Sequence, residues 1–192
     1  MPVISAYADD TFLVLFTNLA ISAVLDGYRL YEKGSGAKLN LFKCEGFGSS
    51  LGLAGLIAAI SWSSTMIKVL GIFLGPGDLA ETNWRPRITN VANVLNSWRQ
   101  RSLSYGGRAL VVNALALSRV WYVASLIHVP RWVIFEPYRH IFTFFWASKR
   151  ELVARKVVVQ PPCVGGFSMS DVQSKVRALH VQWVRRFLCS PS

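Results

Sequence analysis

Apolar residues change their spacing once along this chain, at Gly75-Pro76-Gly77. Before that tripeptide, short β-prone runs are separated by turn-forming residues: Val3 to Tyr7, Thr11 to Phe16, Lys38 to Phe42 and Ile67 to Leu74. The first two flank Ala8-Asp9-Asp10 and predict a hairpin with acidic residues at its tip. One helical pattern interrupts them, in which Ile21, Val24, Leu25, Tyr28, Leu30 and Tyr31 follow Asn18 as an N-cap and end at Gly34 and Gly36. After the tripeptide the spacing is helical. Ile88, Val91, Val94, Leu95 and Trp98 fall on one face. Ser104 caps a second helix, from about Gly107 to Val123, with Leu110, Val111, Ala114, Leu117 and Trp121 inward. A third, aromatic-rich helix runs from about Trp132 to Trp146, its stripe of Phe135, Tyr138, Phe142 and Phe145 expected to be core rather than a base-stacking platform. Val157 to Val159 reads as a short strand, and Ser170 to Leu188 as a basic amphipathic helix. The expected class is α+β. Its divisions are 1–80, a small strand-and-helix domain, 81–130, helical, and 131–192, a helical C-terminal region.

Composition supports a folded chain, since 52% apolar and 12% aromatic residues can bury enough surface to offset chain entropy. Charge is divided as sharply as periodicity. Residues 1–80 carry five basic and six acidic side chains, whereas residues 81–192 carry sixteen and four. The basic zone points to a polyanion, nucleic acid or an anionic membrane. Cys44, Cys163 and Cys189 are widely spaced and form no Cys-x-x-Cys pair, which fits a reducing compartment and an intracellular place, nucleus or cytoplasm. Cys163, His180 and Cys189 lack the spacing of a zinc finger or knuckle. No basic segment precedes an apolar one at the N-terminus, so no signal peptide is expected. Gly46 to Ile67 is uncharged and long enough to span a bilayer. Its many Gly, Ser and Thr residues favour a buried or irregular segment instead. Ala109 to Pro130 is interrupted by Asn113, Arg119 and His128, and an arginine mid-span is costly in lipid.

Two adjacent carboxylates repel each other, which makes Asp9-Asp10 an unusual choice for a hairpin tip. Asp is common in turns because its side chain bonds the local backbone; the other reading is divalent-metal binding, since hard Mg²⁺ takes carboxylate and phosphate oxygens. The order of the motifs around the pair bears on that choice. Tyr7-Ala8-Asp9-Asp10 resembles the Tyr-x-Asp-Asp box of reverse transcriptases. Gly36-Ala37-Lys38-Leu39-Asn40-Leu41-Phe42-Lys43-Cys44-Glu45 resembles the segment that follows their palm helix. Ile67-Lys68-Val69-Leu70-Gly71-Ile72-Phe73-Leu74-Gly75 resembles the primer-grip hairpin. Leu95-Asn96-Ser97-Trp98-Arg99, Leu103-Ser104-Tyr105-Gly106-Gly107-Arg108, Phe145-Trp146 and Gly165-Gly166-Phe167-Ser168-Met169-Ser170-Asp171 also resemble non-LTR, LINE-type retrotransposon enzymes. The resemblance spans nearly the whole chain.

It implies a partial polymerase palm, including the primer grip, over 1–80, a helical thumb over 81–130 and a helical connector over 131–192. It further implies an RNA-directed DNA polymerase by ancestry, with Asp9 and Asp10 as catalytic Mg²⁺ ligands. Lys43 would lie near the nucleotide phosphates, or be a solvated strand lysine. Leu70, Gly71 and Ile72 would grip the primer end, or be core strand. Arg85, Arg87, Arg99, Arg101 and Arg108 would meet nucleic-acid phosphates, each alternatively a solvated surface charge. The implied partners are an RNA template, a DNA primer and dNTP, with no other small substrate and no membrane; the oligomeric state is left open. Only six residues precede Tyr7, so the upstream palm aspartate and the fingers are expected to be missing, and the chain alone is expected to be inactive. The competing functions are a non-catalytic, basic nucleic-acid-binding relic and a small basic membrane protein.

Overall fold

A computed structural model of the chain describes residues 3–8, 10–48, 60–147 and 150–189. The chain is α+β and divides into two compact units, 1–79 and 80–192.

Unit one opens with strands β1 (Val3–Tyr7) and β2 (Asp10–Val14), paired antiparallel with Val3 opposite Val14 and Tyr7 opposite Asp10. The register leaves a two-residue turn, with Ala8 at φ +54°. Helix α1 (Asn18–Ser35) follows. Its cap is Thr17, not the expected Asn18, which is already helical: Thr17 has extended backbone and its Oγ1 accepts from the Ala20 N–H at 3.3 Å. The helix ends where Gly36 turns left-handed and its N–H bonds the Glu32 carbonyl at 2.9 Å.

Lys38 to Phe42 is not the expected strand. The Leu39 N–H goes to the Glu32 carboxylate at 2.6 Å, and Lys43 N–H to the Asn40 carbonyl at 3.0 Å, winding Leu41–Lys43 into a 3₁₀ turn. These local partners replace the ladder a strand would require. Strand β3 (Glu45–Phe47) comes next and pairs parallel with β4 (Ser61–Ser63). Half of the uncharged Gly46-to-Ile67 stretch, residues 49–59, lies outside the described residues. Ile67 to Leu74 is a hairpin rather than one strand: β5 (Ile67–Val69) and β6 (Ile72–Leu74) reverse at Leu70 and Gly71, at φ +47° and +80°. Two consecutive positive φ values match the right-handed twist of a tight hairpin, and Gly71 adopts its value without the strain a Cβ would bring. Among the described residues of this unit only Ile21 and Ile72 are buried hydrophobics.

Unit two holds a core. Helix α2 (Ala80–Trp98) buries Trp84, Ile88, Val91 and Leu95 and packs on α5 (Arg131–Phe145), which buries Val133, Ile141, Phe142 and Phe145. Each such side chain taken fully from water stabilises the fold by about 1.5–3 kcal/mol. Between them the chain rises through α3 (Tyr105–Val111), a π-helical turn Val112–Ala116 and α4 (Ser118–Leu126). Ser104 caps α3 as expected, accepting from Gly107 N–H at 3.2 Å. The inward face differs from the expected one. Leu110 is 66% exposed and Ala114 is exposed, while Ala109, Val112, Ala116, Val120 and Val123 are buried with Val111 and Leu117. Residues 109–117 are apolar all round apart from Asn113, so spacing alone does not choose the face. Val157 to Val159 belongs to a short helix, α6 (Arg155–Val159), not a strand; Val157 N–H bonds Ala154 carbonyl at 2.9 Å. Helix α7 (Val172–Cys189) packs on α4. No single helix among the described residues is long and apolar enough to cross a membrane; α3 with its π turn and α4 are so only together, and they bend by 44°.

Candidate functional site

The β1–β2 hairpin brings one carboxylate, Asp10, to the first position of β2, exposed and opposite an exposed Tyr7. Asp9 lies outside the described residues. The donor is a hard oxygen of the kind Mg²⁺ prefers. Among the described residues, however, no group of three or more His, Cys, Asp or Glu side chains is placed to hold a metal ion.

The other expected site residues of unit one are also at turns. Lys43 closes the 3₁₀ turn and is exposed. Leu70 and Gly71 form the β5–β6 reversal and are exposed, while Ile72 is 5% exposed and belongs to the small core. Gly71 thus lies at the surface of the turn, and Ile72 anchors the turn beneath it.

Five arginines that look equivalent in sequence have different surroundings. Arg85 forms ion pairs with Glu81 at 3.0 Å and Glu136 at 2.9 Å, and its guanidinium stacks 4.5 Å from the Trp132 ring. It ties α2 to α5. Arg108 donates to the Phe145 carbonyl at 3.0 Å and is partly buried, so it tethers α3 to the end of α5. Arg87 donates to the Asn83 carbonyl, and its burial lowers its pKa from the ordinary value. Arg99 and Arg101 sit at the open end of α2, exposed, with Arg101 4.2 Å from the Trp98 ring.

The downstream motifs converge on one structural feature. Tyr105, Phe145, Trp146 and Phe167 form an aromatic cluster with ring centroids 4.9–5.9 Å apart. Gly166 makes the approach possible: a Cβ there would stand 1.9 Å from the Gln160 carbonyl oxygen. These residues organise the unit and carry no evident reactive chemistry.

Sequence spacing missed two polar clasps. Tyr138 on α5 donates its hydroxyl to Asp171 and accepts from Val172 N–H at 3.1 Å. Asp171 also caps α7 through Ser174 N–H at 2.8 Å. Burial works to raise the Asp171 pKa, yet hydrogen bonds from Ser174 and Tyr138 outweigh it and hold the carboxyl below its usual range. Asn113, in the π turn, donates to the Ser168 carbonyl and accepts from Ser170 N–H, both at 2.9 Å. An Asp ahead of a helical pattern is a capping signal that was available at Asp171; nothing in the local pattern marks Tyr138 or Asn113. Beside Tyr138 a cleft of about 580 Å³ opens, with Phe135, Arg139 and Thr143 on one wall and Glu151 and Arg155 on the other.

No protein-family model matches the chain. It is 31% identical over 193 residues to the "Transposon TX1 uncharacterized 149 kDa protein" of Xenopus laevis. That alignment covers 97% of this chain and 15% of the longer protein. The likeness is thus to a protein named for a transposon, of which this chain spans a small part.

Proposed function

We propose that this chain is the part of a LINE-type reverse transcriptase that carries the palm's aspartate hairpin, the primer grip and a helical thumb and connector. The observation that carries the reading is the β1–β2 hairpin, in which Tyr7 pairs with Asp10 across a two-residue turn. A β5–β6 turn with Gly71 at positive φ follows in the order the resemblance implies. Similarity along 97% of the chain to a transposon protein supports the same reading.

In this function Asp9 and Asp10 hold Mg²⁺, which when bound supplies the charge that activates a primer hydroxyl and stabilises the leaving pyrophosphate. Leu70 and Gly71 approach the primer end through backbone. Arg99 and Arg101 meet duplex phosphates, giving salt-dependent, sequence-blind affinity. A two-metal centre needs more ligands than these two aspartates offer. The chain by itself is therefore proposed to bind primer–template without extending it.

The decisive experiment places these 192 residues in the 149 kDa relative, in place of its aligned segment. The chimera is expected to incorporate dNTP on an RNA template, and Asp9→Asn to reduce incorporation by at least about 100-fold, an effect of about 2.7 kcal/mol or more on the barrier, with primer–template affinity unchanged. A chimera that makes no DNA, or an Asp9→Asn chimera that retains full activity, overturns the reading.

A further inference from the structure

The exposed ridge of α5 carries Arg131, Phe135, Arg139 and Thr143, each four residues from the next and therefore aligned on one side of the helix. Phe135 is 60% exposed, although Phe142, Phe144 and Phe145 of the same helix are in the core. One turn on either side of this ring stands an arginine. Neither Arg131 nor Arg139 has an ion-pair partner among the described residues. Glu136, the acid nearest in sequence, is engaged by Arg85, and Asp171 is engaged by Tyr138. Phe135, Arg139 and Thr143 of the ridge line one wall of the cleft of about 580 Å³, with Arg131 beyond it, and the far wall holds Arg155. Arg155 stacks 4.4 Å from the Phe142 ring while paired with Glu151 at 2.7 Å.

We infer that this ridge and cleft bind single-stranded nucleic acid, with one base stacked on Phe135 and the flanking phosphates on Arg131 and Arg139. A flat exposed ring between two uncompensated cations is the arrangement that holds unpaired nucleotides without reading their sequence. A duplex does not use it, because its bases are already stacked on one another. The cleft has what one strand needs: the ring offers a π-face, the guanidinium groups offer charge, and Thr143 offers a hydroxyl at the edge. The inference rests on the reading that this chain handles nucleic acid, and it adds a place for a strand that is not paired at the primer.

The test uses the 192-residue chain and three fluorescent probes followed by anisotropy: oligouridylate, oligothymidylate and an RNA–DNA hybrid duplex. Phe135→Ala is expected to weaken oligouridylate and oligothymidylate binding by about tenfold, the size of one lost base–aromatic stack. Phe135→Trp is expected to keep it, and hybrid affinity to stay within twofold in both. If only one single strand loses affinity, that strand is the ligand and the site stands. Arg99→Ala with Arg101→Ala serves as the contrast, weakening the hybrid. If Phe135→Ala leaves both single strands unchanged while the hybrid still binds, this site is wrong and the function above survives. If no probe binds, both fall. Loss of phosphatidylserine-vesicle binding in Phe135→Ala, without loss of single strands, would assign the ridge to a membrane and overturn the inference.

Discussion

One hydroxyl joins α5 to α7: Tyr138 donates to Asp171 and accepts from Val172, so the folded chain holds this proton more tightly than the unfolded one. Burial, then the hydrogen bond to Asp171, pushes the phenol up to about 12, against about 10 for a free tyrosine. A group whose folded pKa is raised stabilises the fold fully below its unfolded value, and the contribution is lost as pH rises through about 12. Ultraviolet titration is expected to find one of the six tyrosines ionising late, and Asp171→Asn to move it down. Tyr138→Phe should cost about 1 kcal/mol near neutral pH and remove the extra alkaline loss in urea unfolding. A single ionisation step shared by all tyrosines would count against the clasp. The arginines make a related point about legibility. Their number and zone were visible in the sequence, but the roles of Arg85 and Arg108 depend on partners distant in the chain, Glu136 and the Phe145 carbonyl.

Among the elements, those with strong amphipathic spacing were legible. The helices near Trp132 and Ser170 run close to their expected limits, as does the hairpin around Ala8, and Ile88 to Trp98 is helical as expected. Misreadings came where local bonds or uniform apolarity overrode pattern. Glu32 and Asn40 draw the backbone near Leu39 out of a strand. Val157 to Val159 is β-branched yet helical, and Phe167 and Met169 N–H groups both reach the Val158 carbonyl. Around Asn113 the helix widens to a π turn in which Leu117 N–H bonds Val112 carbonyl at 2.9 Å. That turn presents Asn113 to the loop ahead of α7, where its amide serves both Ser168 and Ser170. Asn113→Ala leaves one carbonyl and one N–H without their partner. It should lower stability by about 1–3 kcal/mol, read as a lower urea midpoint at constant slope. An unchanged midpoint would mean that water replaces the amide at no cost.

At the scale of the molecule, buried side chains are divided very unevenly. Unit two holds nearly all of the buried hydrophobics among the described residues, and unit one holds Ile21 and Ile72. The fragment 80–192 is therefore expected to unfold cooperatively on heating, as small domains with one core do. The fragment 1–79 is expected to show a broad, shallow transition and rapid proteolysis, since Val3, Ile4, Phe16, Leu30 and Phe42 are all more than half exposed in it. A sharp calorimetric peak from 1–79 alone would refute this. The sequence announced the division through its change of period, because helices that bury a stripe need long regular patterns while these short strands do not. It did not announce which unit would own the core.

The aromatic cluster also sets an order of events during synthesis. Tyr105 and Phe145 emerge well before Phe167, which completes their packing. At about 5–20 residues per second, the stretch from Tyr105 to Phe167 takes roughly 3–12 s to make. For that interval the inner face of α3 waits without its closing ring, and that of α5 waits for the last part of it, so the growing chain depends on whatever shields nascent apolar surface at the ribosome. A chain that ends before Phe167 lacks the ring that completes this cluster, however intact its aspartate hairpin.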